Sequence, residues 1–216
     1  KIKIRTNSTD IMQLGTVWLV EDYEVSGFNI NNEDIVIDIG AHIGLFSLFV
    51  SQYCKNGKIF SYEPIEKNFR ILKENIELNK IKNVIYFNSA VSNQSNKLKI
   101  FIDSDDSAHS IFESDRDFIE VNSTTIKSIF DENKIKKCNL LKLDCEGAEY
   151  QIIESIPKEY FLKIDKMIIE YHIANENPEL YKKLIQNLKD NSFKIKIEPI
   201  SEGMGMIYAL NMNKMK

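Results

Sequence analysis

The chain predicts an α/β fold: a seven-stranded, mostly parallel sheet with an antiparallel edge strand and helices on both faces. Three observations predict it. Short apolar runs alternate with segments of helical period, the pattern of successive βαβ units. The first run, Ile35-Val36-Ile37-Asp38-Ile39, is almost unbroken, as befits a parallel strand buried on both faces. The last two runs, Phe193 to Ile197 and Met206 to Leu210, have no helix between them and read as a terminal antiparallel pair.

The elements follow in order. Residues 1–33, with Trp18, Tyr23 and Phe28, form an irregular N-terminal lid segment. It is expected to lay short strands or a helix over the loop that comes next. The main domain spans residues 34–216 and opens with the strand from Asp34. A helix runs from Gly44 to Tyr53, its end marked by Asn56-Gly57. Lys58 to Tyr62 is the second strand, and Glu63-Pro64 closes it. Phe69, Leu72, Ile76 and Leu78 recur at helical spacing in a helix to Asn79. Val84 to Phe87 is the third strand. Residues 97–121 alternate strand-like runs with polar turns, and read as a β-rich insertion near the acceptor side of the site. Thr124-Thr125 caps a helix through Phe130. Leu140 to Asp144 is the fourth core strand, Gly147 opens a helix through Ser155, and Met167 to Tyr171 is the fifth strand. Pro178 starts a helix through Leu188.

Bulk properties narrow the function. At 216 residues, 43% hydrophobic and 28% charged, the chain suits one globular domain with a full core. A net charge of −4, with acids and bases interspersed, lacks the basic stripe that nucleic-acid binding favours. No apolar run approaches the roughly 18–20 residues of a membrane span. Cys54, Cys138 and Cys145 form no CxxC pair, which fits a reducing cytoplasm better than a disulfide framework. The three histidines are scattered, which speaks against a zinc site. Association as a homodimer is left open.

The loop after the first strand carries the most chemistry. A dinucleotide fingerprint would need glycines at 40, 42 and 45, and the chain has Gly40, His42 and Leu45. A phosphate-cradling P-loop would need a Lys-Ser or Lys-Thr pair after the glycines, and none follows. What remains is Asp38-x-Gly40-x-x-x-Gly44, suited to a nucleoside ligand without a phosphate bridge. Glu63, at the end of the second strand, can hold ribose hydroxyls. S-adenosylmethionine is a ligand of this kind, and its cationic sulfonium suits the nearby acids. Acids or histidine recur at four strand ends: Asp38, Glu63, Asp144-Cys145-Glu146 and Glu170-Tyr171-His172. Carboxylates gathered in one crevice repel one another, so such clustering usually serves a function.

Four segments, in order, resemble the FkbM-type S-adenosylmethionine-dependent methyltransferases. They are Val36 to Ser47, Tyr62-Glu63-Pro64, Asn88 to Ser92, and Leu141 to Glu149, with the last the most diagnostic. The resemblance spans about Val17 to Tyr171 and implies the Rossmann-like class I methyltransferase fold. His42 departs from it, since Asn is the residue expected there. Asp38, Gly40, His42, Gly44, Phe46, Ser47, Glu63, Pro64, Ser89 and Ala90 are thereby expected around the cofactor. Asp38 and Gly40 are assigned to its methionine end, Glu63 to the ribose, and Ser89 and Ala90 to the adenine. Asp144, Glu146 and His172 are expected on the acceptor side, as catalytic residues. His172 has the ordinary pKa best suited to a base at neutral pH; a purely structural histidine is the alternative. For Glu146 the alternative is a helix N-terminal acid. Glu149 is expected in solvent or paired with Lys142, and His109 in a loop. A divalent cation on Asp144 and Glu170 is permitted but not demanded. The resemblance implies O-methylation of a hydroxyl on a sugar or other small molecule. The competing readings are a methyltransferase acting on RNA or protein, and a non-catalytic scaffold that kept the fold.

Overall fold

A computed structural model describes residues 1–6, 8–18, 28–101 and 117–214, with Thr16 and Trp18 described in their backbone alone. Strands β1 (Ile35–Ile39), β2 (Lys58–Tyr62) and β3 (Val84–Phe87) alternate with helices α2 (Leu45–Ser51) and α3 (Glu66–Leu78). The preceding helix α1 (Asp10–Trp18) packs on α2, so the N-terminal segment lays a helix beside the glycine loop. After β3 come β4 (Ala90–Val91), β5 (Lys97–Phe101), β6 (Phe118–Thr124) and α4 (Ile126–Glu132). Then β7 (Leu140–Asp144), α5 (Glu149–Ser155), α6 (Lys158–Phe161) and β8 (Lys166–Tyr171) complete the parallel part. Helix α7 (Pro178–Asp190) leads to β9 (Phe193–Ser201) and β10 (Met204–Asn211).

The main sheet has seven strands in the order β3-β2-β1-β7-β8-β10-β9. The first five are parallel. The expected antiparallel pair closes the sheet, with β10 antiparallel to β8 and to the outermost β9. The chain winds outward from β1 to β3, then returns to place β7 on the other side of β1. That reversal makes the gap above β1 and β7 the switch point where open α/β sheets bind ligands.

Strand alternation sorts side chains onto two faces. Ile37, Ile39, Leu141, Leu143, Ile169 and Ile207 face the core shared with α4 to α7. Val36, Ile59, Leu140 and Ile168 face the core shared with α1 to α3. Asp38 and Lys142 fall on the second face and are register partners, as are Asp38 and Ser61. A buried polar row therefore crosses three strands directly beneath α2.

Several expectations need adjusting. Leu78 is exposed and Phe69 half-buried against Tyr86; Asn68 and Asn75 take the buried face of α3 instead. Helix α5 starts at Glu149 rather than at Gly147, which lies in the turn before it. Thr125 alone caps α4, its hydroxyl accepting from the Ser128 backbone N–H at 3.1 Å. The short helix α6 has no counterpart in the sequence reading. Residues 97–121 supply β5 and β6, an antiparallel pair whose partner β4 runs parallel to β6. The turn with Asp103 to Ser107, His109 and, near the N-terminus, Tyr23 lie outside the described residues.

Candidate active site

The glycine loop is held by backbone. Gly40 and Ala41 donate their N–H groups to the Tyr62 carbonyl at 3.1 and 3.0 Å, which ties the loop to β2. Gly40 has φ +74°, and a Cβ there would lie 1.7 Å from the Asp144 carbonyl oxygen. Only glycine lets the end of β1 approach β7 this closely. His42, at φ +51°, and Gly44, at φ +86°, continue the left-handed winding into α2.

Glu63 joins this loop to α3. Its Oε2 accepts from the His42 N–H at 2.8 Å and its Oε1 from the Ile65 N–H at 2.9 Å. Burial pushes its carboxyl up to about 7, against those stabilising bonds.

The N-terminal segment clamps the same loop. Arg5 embraces the buried Asp10 through Nε and one terminal nitrogen, at 3.0 and 2.6 Å. It also donates to Asn68 Oδ1 at 2.8 Å, and its Nη2 lies 2.7 Å from His42 Nε2. Burial pulls Asp10 upward, but the bonds and charge of Arg5 outweigh this and hold it below the usual range. Burial and the Arg5 charge push His42 down to about 4, so its ring is neutral and accepts from Arg5. Sequence reading missed this clamp. Its trace was the polar spacing of Asn68, Asn75 and Asn79, which bond Arg5, Lys3 and Lys1.

Beneath the loop lies the polar row. Ser47, on α2, donates to Asp38 Oδ2 at 2.6 Å and lies 2.7 Å from Ser61 Oγ. Lys142 Nζ sits 3.5 Å from Asp38, 3.3 Å from Asp144 and 3.1 Å from the Gly40 carbonyl. Burial raises the Asp38 carboxyl, opposed by Lys142 and Ser47. Lys142 thus pairs with Asp38 and Asp144, not with Glu149 as the sequence suggested.

Glu149 turns inward instead. It is fully buried, accepts from the Cys145 N–H at 3.0 Å, and lies 2.9 Å from His172 Nδ1. His172 Nε2 lies 3.7 Å from both Glu146 and Glu170. Burial alone would lower the His172 pKa. The Glu149 bond and the surrounding carboxylates overcome it and push the pKa up to about 10. His172 is therefore an imidazolium at neutral pH, and its ordinary pKa does not qualify it as a base here. Asp144 and Glu170 are register partners on β7 and β8. The Asp144 carboxylate, then burial, push Glu170 up to about 8. Burial lifts the Cys145 thiol well above its usual range, which disfavours a nucleophilic thiolate.

These parts border one cleft. Gly40, His42, Phe46, Glu63, Pro64, Ala90, Asp144 and Glu146 line it, together with Lys142 and Glu170. Leu98 and Ile100 of β5 and Val17 of α1 add apolar wall. Asp38, Gly44, Ser47, Ser89 and His172 are not part of its lining. Asp38 and Ser47 support the loop from below, and Ser89 bonds the Asn122 carbonyl at 3.1 Å. No helix among the described residues is long and apolar enough to cross a membrane.

The strand-end acids, the glycine loop and the switch-point cleft coincide with a family match. The model of the methyltransferase FkbM domain matches residues 38–195. The chain belongs to the FkbM methyltransferase family. Methyltransferase 1 of Beauveria bassiana is 23% identical over 177 residues, covering 71% of this chain and 70% of that protein. Methyltransferase sdnD of Sordaria araneosa is 22% identical, covering 66% and 68%. The fold of an FkbM methyltransferase from Methylobacillus flagellatus superposes with TM-score 0.59 at 16% identity, covering 87% of this chain and 46% of that one. SMU.1697c from Streptococcus mutans, solved in complex with SAH, gives 0.54 at 12% identity, covering 85% and 91%.

Proposed function

We propose that this FkbM methyltransferase uses S-adenosylmethionine to methylate a hydroxyl on a small molecule, a sugar or natural product. One observation carries the reading. Glu63, after β2, and Asp144, Glu146 and Glu170, at β7 and β8, line one cleft from opposite sides of β1, with Leu98 and Ile100 as apolar wall.

The chemistry of this lining fits the cofactor. Glu63 would accept from the ribose hydroxyls, its carboxylate already aimed by two backbone N–H groups. Ala90, Leu98 and Ile100 suit the adenine, and Gly40 offers close backbone approach to the methionine end. When bound, the cofactor supplies an electrophilic methyl group. The chain's part is to position an acceptor oxygen and remove its proton. Glu146 is suited to removing that proton. It lines the cleft, and its side chain is 33% exposed, open to water that can carry the proton away. Its φ of +51°, beside Gly147, fixes it in an uncommon backbone conformation of the kind found at functional sites. Lys142 holds Asp144 in place, and His172 orders the acids around it. The free thiols of Cys54, Cys138 and Cys145 accord with a cytoplasmic setting.

The test is calorimetric titration with S-adenosylhomocysteine, with NAD as control, on the parent and Glu63→Gln. Saturable binding at least about tenfold weaker in the variant is expected, because a bidentate charged acceptor is lost. Labelled methyl incorporation over sugars, small alcohols, RNA and protein then finds the acceptor. Absence of cofactor binding in folded protein would bring forward the scaffold alternative.

A further inference from the structure

We infer that the carboxyl ends of β7 and β8 form a divalent-cation site, with Asp144, Glu170 and His172 as ligands and Glu149 orienting the histidine. Its catalytic purpose rests on the methyltransferase reading above; its existence does not.

The strands bring the ligands together. Asp144 and Glu170 are side by side in parallel register, and His172 follows Glu170 on the same strand end. One donor atom from each of the three lies within 4.8 Å of the others. His172 Nε2 is 3.7 Å from Glu170 Oε1, too far for a hydrogen bond. Two donors about 2.1 Å from one ion stand roughly 3.0–3.7 Å apart when they subtend 90–120°. The gap therefore has the width of a shared ion.

The second observation is the aim of His172. The residue is only 7% exposed, and its Nε2 faces the Glu146 and Glu170 carboxylates at 3.7 Å, beyond hydrogen-bond reach. Its other nitrogen, Nδ1, is held at 2.9 Å by Glu149, which is fully buried and tied to the Cys145 N–H. A histidine whose outer nitrogen is fixed on a carboxylate, with the inner one facing further carboxylates, has the arrangement of a metal ligand with its supporting acid; a cation that binds there displaces the Nε2 proton, which leaves to solvent. Glu149 is thereby a positioning residue. Lys142 engages Oδ2 of Asp144, and the carboxylate has a second oxygen to offer.

One imidazole nitrogen with carboxylate oxygens favours a first-row ion such as Mn²⁺ over the all-oxygen preference of Ca²⁺. An acceptor hydroxyl on such an ion gives up its proton more readily. Glu146, 3.7 Å from His172, is placed to receive that proton and pass it to solvent.

The test strips the purified chain with EDTA and titrates it with Mn²⁺, reading free ion by electron paramagnetic resonance. One ion per chain is expected. Asp144→Asn and Glu170→Gln should each weaken binding at least about tenfold, and Glu149→Gln by about 10–100-fold although it touches no ion. Thermal unfolding of each variant confirms that it folds, and S-adenosylhomocysteine calorimetry is run on the same samples. Cofactor binding without Mn²⁺ uptake even at about 1 mM overturns the cation site and leaves the methyltransferase reading standing. Uptake unchanged in Asp144→Asn and Glu170→Gln overturns it too. Uptake lost in those variants, without cofactor binding by the parent, upholds the site and removes the methyltransferase reading instead.

Discussion

Gly40 has no room for a side chain. Its positive φ disfavours a side chain, and the atom a Cβ would meet is a backbone oxygen that cannot swing aside. Gly44 shares the positive φ, but a Cβ there meets the Leu72 side chain at 3.1 Å, and that neighbour can give. Gly40→Ala is expected to cost at least about 3 kcal/mol or to prevent folding, against about 1–2 kcal/mol for Gly44→Ala. Urea unfolding of both variants measures the difference, and equal losses would remove the special standing of Gly40. Glu63 gives a pH-dependent prediction. Its ordinary value is 4.5 and burial lifts it to about 7. Between these values the folded chain holds a proton that the unfolded chain has released. Stability at this site therefore falls as pH rises through the window, by up to about 3 kcal/mol. Glu63→Gln should flatten that slope between pH 5 and 8, read as melting temperature against pH. Cofactor affinity should run the other way in the parent, weakening as pH falls below about 7, because the proposed ribose contact needs Glu63 as a carboxylate that accepts from both hydroxyls.

At the scale of elements, helix α3 acts as a bracket. Asn68, Asn75 and Asn79 bond Arg5, Lys3 and Lys1, and Asn75 also donates to the Ile43 carbonyl at 2.9 Å. The N-terminal segment is thereby stitched to the helix and to the glycine loop. Arg5→Ala would leave Asp10 buried without its partner, a loss of about 3–5 kcal/mol if the segment stayed in place. Releasing the segment avoids most of that cost. The expected outcome is faster amide exchange over residues 2–6 and α1 with only a small change in global melting temperature. A large melting shift with unchanged exchange would instead make the segment part of the cooperative core. The same elements show what was legible in the sequence. The strand and helix alternation was readable because periodicity is local, and the switch-point loop because its glycines sit at fixed offsets. The bracket was not, because its partners lie more than sixty positions apart and polar helix residues are ordinarily assigned to solvent. The state of His172 was equally hidden. It depends on carboxylates from α5 and from the ends of β7 and β8, which only the fold assembles. Helix α6, four residues long, is too short to show a period.

At the scale of the whole molecule, charge separates the two classes of acceptor. The net charge is −4. Binding RNA means displacing counterions with lysines and arginines laid along the phosphates, and each such contact adds to the salt dependence. Here many basic side chains are already matched with acids. Lys3 pairs with Glu74, Lys127 with Asp131, Lys137 with Asp165 and Lys196 with Glu198. The cleft itself gathers Asp144, Glu146 and Glu170, which repel a phosphate backbone. Labelled tRNA is therefore expected to show no association tighter than about 10⁻⁴ M at low salt, below even ordinary non-specific binding. Fluorescence anisotropy measures this directly. Micromolar binding with a steep inverse dependence on salt would overturn the small-molecule assignment.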